Sequence, residues 1–277
     1  MSFTLAPITA IIIACLAGGA LSVLAAAGTL ALHSRWISPL VSFAVGALLG
    51  AVFLELLPHA LEHGATQRVM LTVLVGLLLF FLLEKLVLWR HSHLEAESLV
   101  EGAPLIATEV ATDHATGDAR THSHGFDGGR SGLMILIGNS VHNFCDGIVI
   151  AATFIADFTL GTTTALAIVA HAIPQQVGDF AVLLHSGYTR RRAFVYNLAT
   201  GAAMLVGGLA GYAALASMQE VLTTVLALAA ASLLYVAVAD LIPSLHRHPS
   251  PGDTARQLAL IGVGIAIIAI AHVALEH

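Results

Sequence analysis

Two short stretches of an otherwise apolar chain carry groups that can do chemistry. One is His142-Asn143-Phe144-Cys145-Asp146-Gly147; the other is His171-Ala172-Ile173-Pro174-Gln175-Gln176-Val177-Gly178-Asp179. Each sits in a run greasy enough to span a bilayer. There an ionisable side chain costs about 2.5–3.5 kcal/mol on insertion scales and reads as functional by default. His142 and Asp146 are four residues apart, as are His171 and Gln175, so on a helix each pair projects from one face, with Asn143 at the edge of the first. Imidazole nitrogens with carboxylate and amide oxygens form a borderline donor set suited to zinc or a similar divalent cation. The spacing predicts a metal site at the membrane midplane built from His142, Asn143, Asp146, His171 and Gln175. Asp179 is a further candidate ligand along the second segment.

The elements that must hold these groups are membrane helices. Of the 277 residues, 57% are hydrophobic and 10% charged, against about a quarter charged in a soluble domain. The chain therefore reads as an all-α integral membrane protein, with eight transmembrane helices at about 5–32, 38–61, 69–90, 132–157, 161–187, 192–216, 220–245 and 255–275. A net charge of −6 argues against nucleic acid as a partner; the bilayer is the obvious one. Cys15 and Cys145 both fall inside spans, so no disulfide is expected. The N-terminal apolar run lacks a basic flank and is too long for a signal peptide, so it reads as the first span. Arg35, Lys85, Arg90, Arg120, Arg130, Arg190, Arg191, Arg192, Arg247 and Arg256 lie beside loops that follow odd-numbered helices, and only Arg68 lies on the other side. The positive-inside rule puts those loops in the cytoplasm and both termini outside a cell membrane.

Residues 91–130 form the one long loop, acidic and rich in histidine (His91, His93, His114, His122, His124), without apolar periodicity. It is expected to be disordered, and its histidines to hold metal loosely. Topology arranges the remaining polar residues as a path. Glu55, His59, Glu62 and His63 climb towards the outer mouth, and Asp179, then His185, lie further towards the cytoplasm; Gln176 and Asp240 are further path candidates, with pairing to a neighbouring helix the alternative for Asp240. Glu55-Leu56-Leu57-Pro58 and Asp240-Leu241-Ile242-Pro243 share a pattern on oppositely directed helices, as in an inverted repeat. Pro174 predicts a break that frees the carbonyl of Ala170. Gly207 and Gly211 predict close helix packing within the chain, a homodimer being the alternative use. His272 reads as an interhelical hydrogen-bonder, Asn197 as a packing amide, and Glu84 and Lys85 as surface-paired.

At these residues the chain resembles the ZIP family of divalent-metal transporters, most closely its LIV-1-type branch. The motifs are His142-Asn143-X-X-Asp146-Gly147, then His171-X-X-Pro174 with Gly178-Asp179-Phe180, supported by Leu56-Leu57-Pro58-His59 and Asp240-X-X-Pro243. The resemblance covers essentially the whole chain. It implies a three-plus-two-plus-three arrangement of helices, with His142, Asn143, Asp146, His171 and Gln175 at the family's ligand positions, and uptake towards the cytoplasm. LIV-1-type members usually read His-Glu-X-Pro-His-Glu in helix five, whereas Ala172, Gln175 and Gln176 stand here. With Asp146 the one carboxylate left at that level, two adjacent dications would be poorly compensated in low dielectric, so one metal is expected instead of two. Zinc leads on ligand type; Fe2+, Mn2+, Co2+ and Cd2+ fit similar sets. No GxxxxGK[ST] sequence occurs, which leaves passive or gradient-coupled movement. Two alternatives stay open. One is a ZIP-like sensor that has lost transport. The other is an intramembrane zinc-dependent hydrolase, which would lack the usual His-Glu-X-X-His motif.

Overall fold

A computed structural model describes residues 7–29, 37–101, 130–246 and 250–276. These form eight helical rods and, among the described residues, no strand. They are α1 (Pro7–Thr29), α2 (Ile37–Gly50, running on through Ala51–Leu56 and Leu57–His63), α3 (Thr66–Glu101), α4 (Arg130–Ala156), α5 (Phe158–His185), α6 (Arg190–Leu215), α7 (Gln219–Tyr235, running on through Val236–Leu241 and Ile242–Leu245) and α8 (Pro251–Glu276). Six are long and apolar enough to cross a membrane, and Pro7–Leu21 is a shorter apolar stretch. The 27-residue α4 is diluted by Asn139, Ser140, His142, Asn143 and Asp146.

The helix limits match the expected spans within a few residues, except at α3. That helix runs on to Glu101, so residues 91–101 continue it instead of opening a loop. Glu95, Ala96, Glu97 and Leu99 are good helix formers whatever their polarity, and the polar composition misled. Residues 102–129, the rest of the expected disordered loop, lie outside the described residues, with His114, His122 and His124.

The rods fall into two groups: α1, α4, α5 and α6 pack among themselves, as do α2, α3, α7 and α8, and the two are joined mainly by α2 on α5, with smaller contacts of α8 on α5 and α7 on α4. Glycine sets the close approaches. A Cβ on Gly147 would lie 2.0 Å from the Met204 carbonyl oxygen, and one on Gly207 would lie 2.0 Å from that of Phe144, so α4 and α6 touch backbone to backbone. Gly207 and Gly211 thus serve packing within the chain.

Exchanging α1–α3 with α6–α8 and α4 with α5 carries the main contacts onto one another: α2 packs on α8 as α7 packs on α3, and α1 on α5 as α6 on α4. The same offset in numbering separates Glu55 from Asp240, Pro58 from Pro243, and the contact of Gly46 with Ile261 from that of Gly76 with Ala231. Both acidic residues occupy π-helical turns, Ala51–Leu56 and Val236–Leu241, that run into a proline. In each, the N–H just before the proline reaches five residues back, Leu57 to Val52 and Ile242 to Ala237. The wider turn keeps the earlier carbonyl clear of the proline ring. Pro174 behaves otherwise. It lies buried inside α5, which runs helical from Phe158 to His185, and with no N–H of its own it leaves the Ala170 carbonyl without that donor, as expected.

Between α4 and α5 the chain reverses in a single residue. Asp157 is extended, and its carboxylate accepts from Leu160 N–H at 2.9 Å, capping α5. His142 stands fifteen residues before Asp157 and His171 fourteen after it, so the hairpin brings both imidazoles to one depth. Gly187 ends α5 at φ 86°, with Tyr188 N–H bonded to Leu183 O and Gly187 N–H to Leu184 O, both at 3.1 Å.

Candidate metal centre

At the level set by that hairpin, His142 Nε2 and His171 Nε2 lie 3.2 Å apart, and each is 3.4 Å from Asp146 Oδ2. Among the described residues these three form the one group of His, Cys, Asp or Glu with all ligand atoms within 4.8 Å of one another. His171 and Asp146 are 1% exposed and His142 is 23% exposed, so the cluster is reached past His142. His171 Nδ1 points at the Ala167 carbonyl, 3.4 Å away. A carbonyl only accepts, so Nδ1 carries the proton and Nε2 turns a lone pair into the cluster. Both oxygens of Asp146 are buried and, among the described residues, have no hydrogen-bond partner. A buried carboxylate with no donor, beside the lone pair of His171 Nε2, is costly alone and is relieved by a cation. The three edges also match zinc: tetrahedral bonds of about 2.0–2.1 Å set ligand atoms about 3.3–3.4 Å apart.

The other expected ligands meet around a residue the sequence reading passed over. Asn139 Oδ1 accepts from Gln175 Nε2 at 2.8 Å and from Asn143 Nδ2 at 3.3 Å, and its Nδ2 donates to Asp179 Oδ2. Asn143, Gln175 and Asp179 are thus tied together through Asn139. The signal was present: Asn139, His142, Asn143 and Asp146 follow the spacing of a single helical stripe.

Gln176 turns to α6, with Nε2 3.5 Å from Thr200 Oγ1 and its backbone carbonyl accepting from Asn197 Nδ2 at 3.2 Å. Asn197 is therefore the packing amide it was read as. Of the path residues, Glu55 is buried and bonded to His272 Nδ1 at 3.0 Å, across from α2 to α8, and His272 Nε2 meets Glu276 at 3.2 Å. His59 stacks on His63 with ring centres 4.4 Å apart. Beside them, Glu62, His63, Arg68, Glu220 and Thr223 line a cavity of about 500 Å³. On the other side of the triad, Asp240 is exposed within its π turn and His185 is exposed at the end of α5. Glu84 accepts from Tyr235, a pairing between α3 and α7 that sequence spacing cannot show.

The fold and the cluster define a polytopic membrane protein with the donor set for a divalent cation held between two of its helices. The sequence pattern of the ZIP zinc transporters matches residues 2–272. Human zinc transporter ZIP13 is 30% identical over 268 residues, covering 84% of this chain and 70% of that protein. The ZIP13 homolog of Drosophila melanogaster is 31% identical over 283 residues, covering 88% of this chain and 79% of that protein. Human zinc transporter ZIP5 is 32% identical over 283 residues, covering 85% and 52%. The chain spans from 66% to 79% of the length of the ZIP13 relatives it matches. The chain belongs to the ZIP family of zinc transporters, and membership assigns it divalent-metal transport across a membrane, with zinc as the leading substrate.

Proposed function

We propose that this protein carries zinc towards the cytoplasm, one ion at a time, through a site formed by His142, Asp146 and His171. The observation that supports this best is the triangle of 3.2, 3.4 and 3.4 Å between two imidazole nitrogens and a carboxylate oxygen without a donor. The ion enters past His63, His59 and Glu55, binds the triad, and leaves past Asp240, Asp179 and His185. The amides of Asn143 and Gln175 complete its shell. With Ala172 beside the site and amides at 143, 175 and 176, Asp146 is the one carboxylate of that level, which favours a single dication. Fe2+, Mn2+, Co2+ and Cd2+ meet the same donors, with preference set by availability. The α1, α4, α5, α6 group moves against the other four helices to expose the site alternately on the two sides of the cell membrane.

The test is zinc uptake into proteoliposomes holding the purified chain. Wild type fills the vesicles, and Asp146→Ala or His171→Ala reduces uptake to the protein-free rate. Zinc that is bound but never moved would instead make the protein a sensor. Coordination needs neutral imidazoles, so zinc affinity falls as pH is lowered below neutral and recovers on return; titration calorimetry at stepped pH checks this, and a flat profile contradicts it.

A further inference from the structure

Asn139 is 5% exposed and sits one turn before Asn143 on α4. Its amide is bonded at both ends. Its Nδ2 donates to Asp179 Oδ2, and its Oδ1 accepts from Gln175 at 2.8 Å and from Asn143 at 3.3 Å. A carboxylate accepts and does not donate, so Asp179 decides which end of the Asn139 amide faces it. The oxygen of Asn139 must then face Gln175 and Asn143, and each of those must answer with its NH2 group. An amide is planar, with oxygen and nitrogen on opposite sides of its carbon. Turning both NH2 groups to Asn139 therefore turns both carbonyl oxygens away from it. Asn143 adjoins His142, and Gln175 is one helical turn past His171, so the two amides border the triad.

We infer that Asp179, acting through Asn139, sets the polarity of an amide relay that presents Asn143 Oδ1 and Gln175 Oε1, and not their NH2 groups, to the transported cation. Asp179 and Asn139 are positioning residues here. This inference rests on the metal site proposed above and says how that site is kept fit for a cation. It also gives the acidic residue of the helix-five motif work to do one shell out from the ion. Were the relay reversed, two NH2 groups with positive hydrogens would face the dication. Outer partners of metal ligands change affinity by about 10–100-fold when removed, which is the range open to this relay.

The experiment is zinc titration calorimetry on the purified full-length chain in detergent, with thermal unfolding of each variant recorded alongside. An amide at position 179 accepts as readily as it donates, so D179N releases the polarity of the relay and weakens zinc about 10–100-fold. In D179N/N139D the carboxylate at position 139 accepts from all three surrounding amides, the polarity returns, and most of the lost affinity is recovered. N139A removes the hub and gives a loss similar to that of D179N; combined in N139A/D179N the two losses do not add, because they act through one chain of bonds. Wild-type affinity in D179N or in N139A overturns the inference. So does a folded D179N/N139D that binds no better than D179N, or losses that add. If D179N does not fold, N139A alone decides. H171A separates the two levels. Should H171A keep full zinc binding, the metal site itself is wrong; should it lose binding while D179N and N139A keep theirs, only the relay fails.

Discussion

Asp146 is the residue whose surroundings make least sense without a cation. It is buried to 1% exposure, both its oxygens lack a donor among the described residues, and two imidazole nitrogens stand 3.4 Å from one of them. Such a group is kept at a cost in stability. Asp146→Asn is therefore expected to raise the melting temperature of the zinc-free protein, by removing a buried unpaired charge worth about 1–3 kcal/mol, and to abolish the further rise that zinc gives wild type. Scanning calorimetry with and without zinc checks both parts; a variant that melts lower and still responds to zinc would contradict them. At this scale the triad was legible, because the four-residue spacing of His142 and Asp146 and a lone buried His171 state their chemistry in the sequence. The arrangement of the remaining candidate residues was not. Spacing places Asn143, Gln175 and Asp179 near the site, but their hydrogen bonds converge on Asn139, whose type announces no role.

Helices hold the triad through contacts that leave no room for a side chain. A Cβ on Gly147, the residue after Asp146, would sit 2.0 Å from the Met204 carbonyl oxygen, so Gly147→Ala must push α4 off α6 and carry His142 and Asp146 with it. The expected outcome is a loss of about 1–3 kcal/mol or more from overpacking, together with weakened zinc binding. Gly262→Ala, on α8 with nothing within 4 Å of its Cβ, should leave both unchanged. Equal effects at the two positions would contradict the close packing of α4 and α6. The helices themselves were readable from apolar length alone, and so was the acidic-aliphatic-aliphatic-proline echo of α2 and α7. The echo runs deeper in three dimensions: both copies form a π turn with the same five-residue hydrogen bond before the proline. A residue pattern marks a distortion there without saying which kind. Pro174 is the converse case. A proline's local cost is legible, but whether it takes a π turn is not: Pro174 sits in an α-helix packed mainly by α1, α4 and α2.

For the whole molecule, the proposed direction rests on the bias of the basic residues. Arg190, Arg191 and Arg192 open α6 just after the turn at Gly187, whereas Ala65 joins α2 to α3 at the opposite end of the bundle. A cysteine introduced at Ser186 should react with a membrane-impermeant maleimide only in inside-out vesicles, and one at Ala65 only from the cell exterior; the reverse pattern would turn the protein over and reverse the proposed route. The measurement that reaches the central claim most directly is anomalous diffraction at the zinc edge from zinc-soaked crystals. One peak per chain is expected between α4 and α5, at about 2.0–2.1 Å from His142 Nε2, His171 Nε2 and a carboxylate oxygen of Asp146. No density among those three atoms, or two strong adjacent peaks in place of one, would contradict the account.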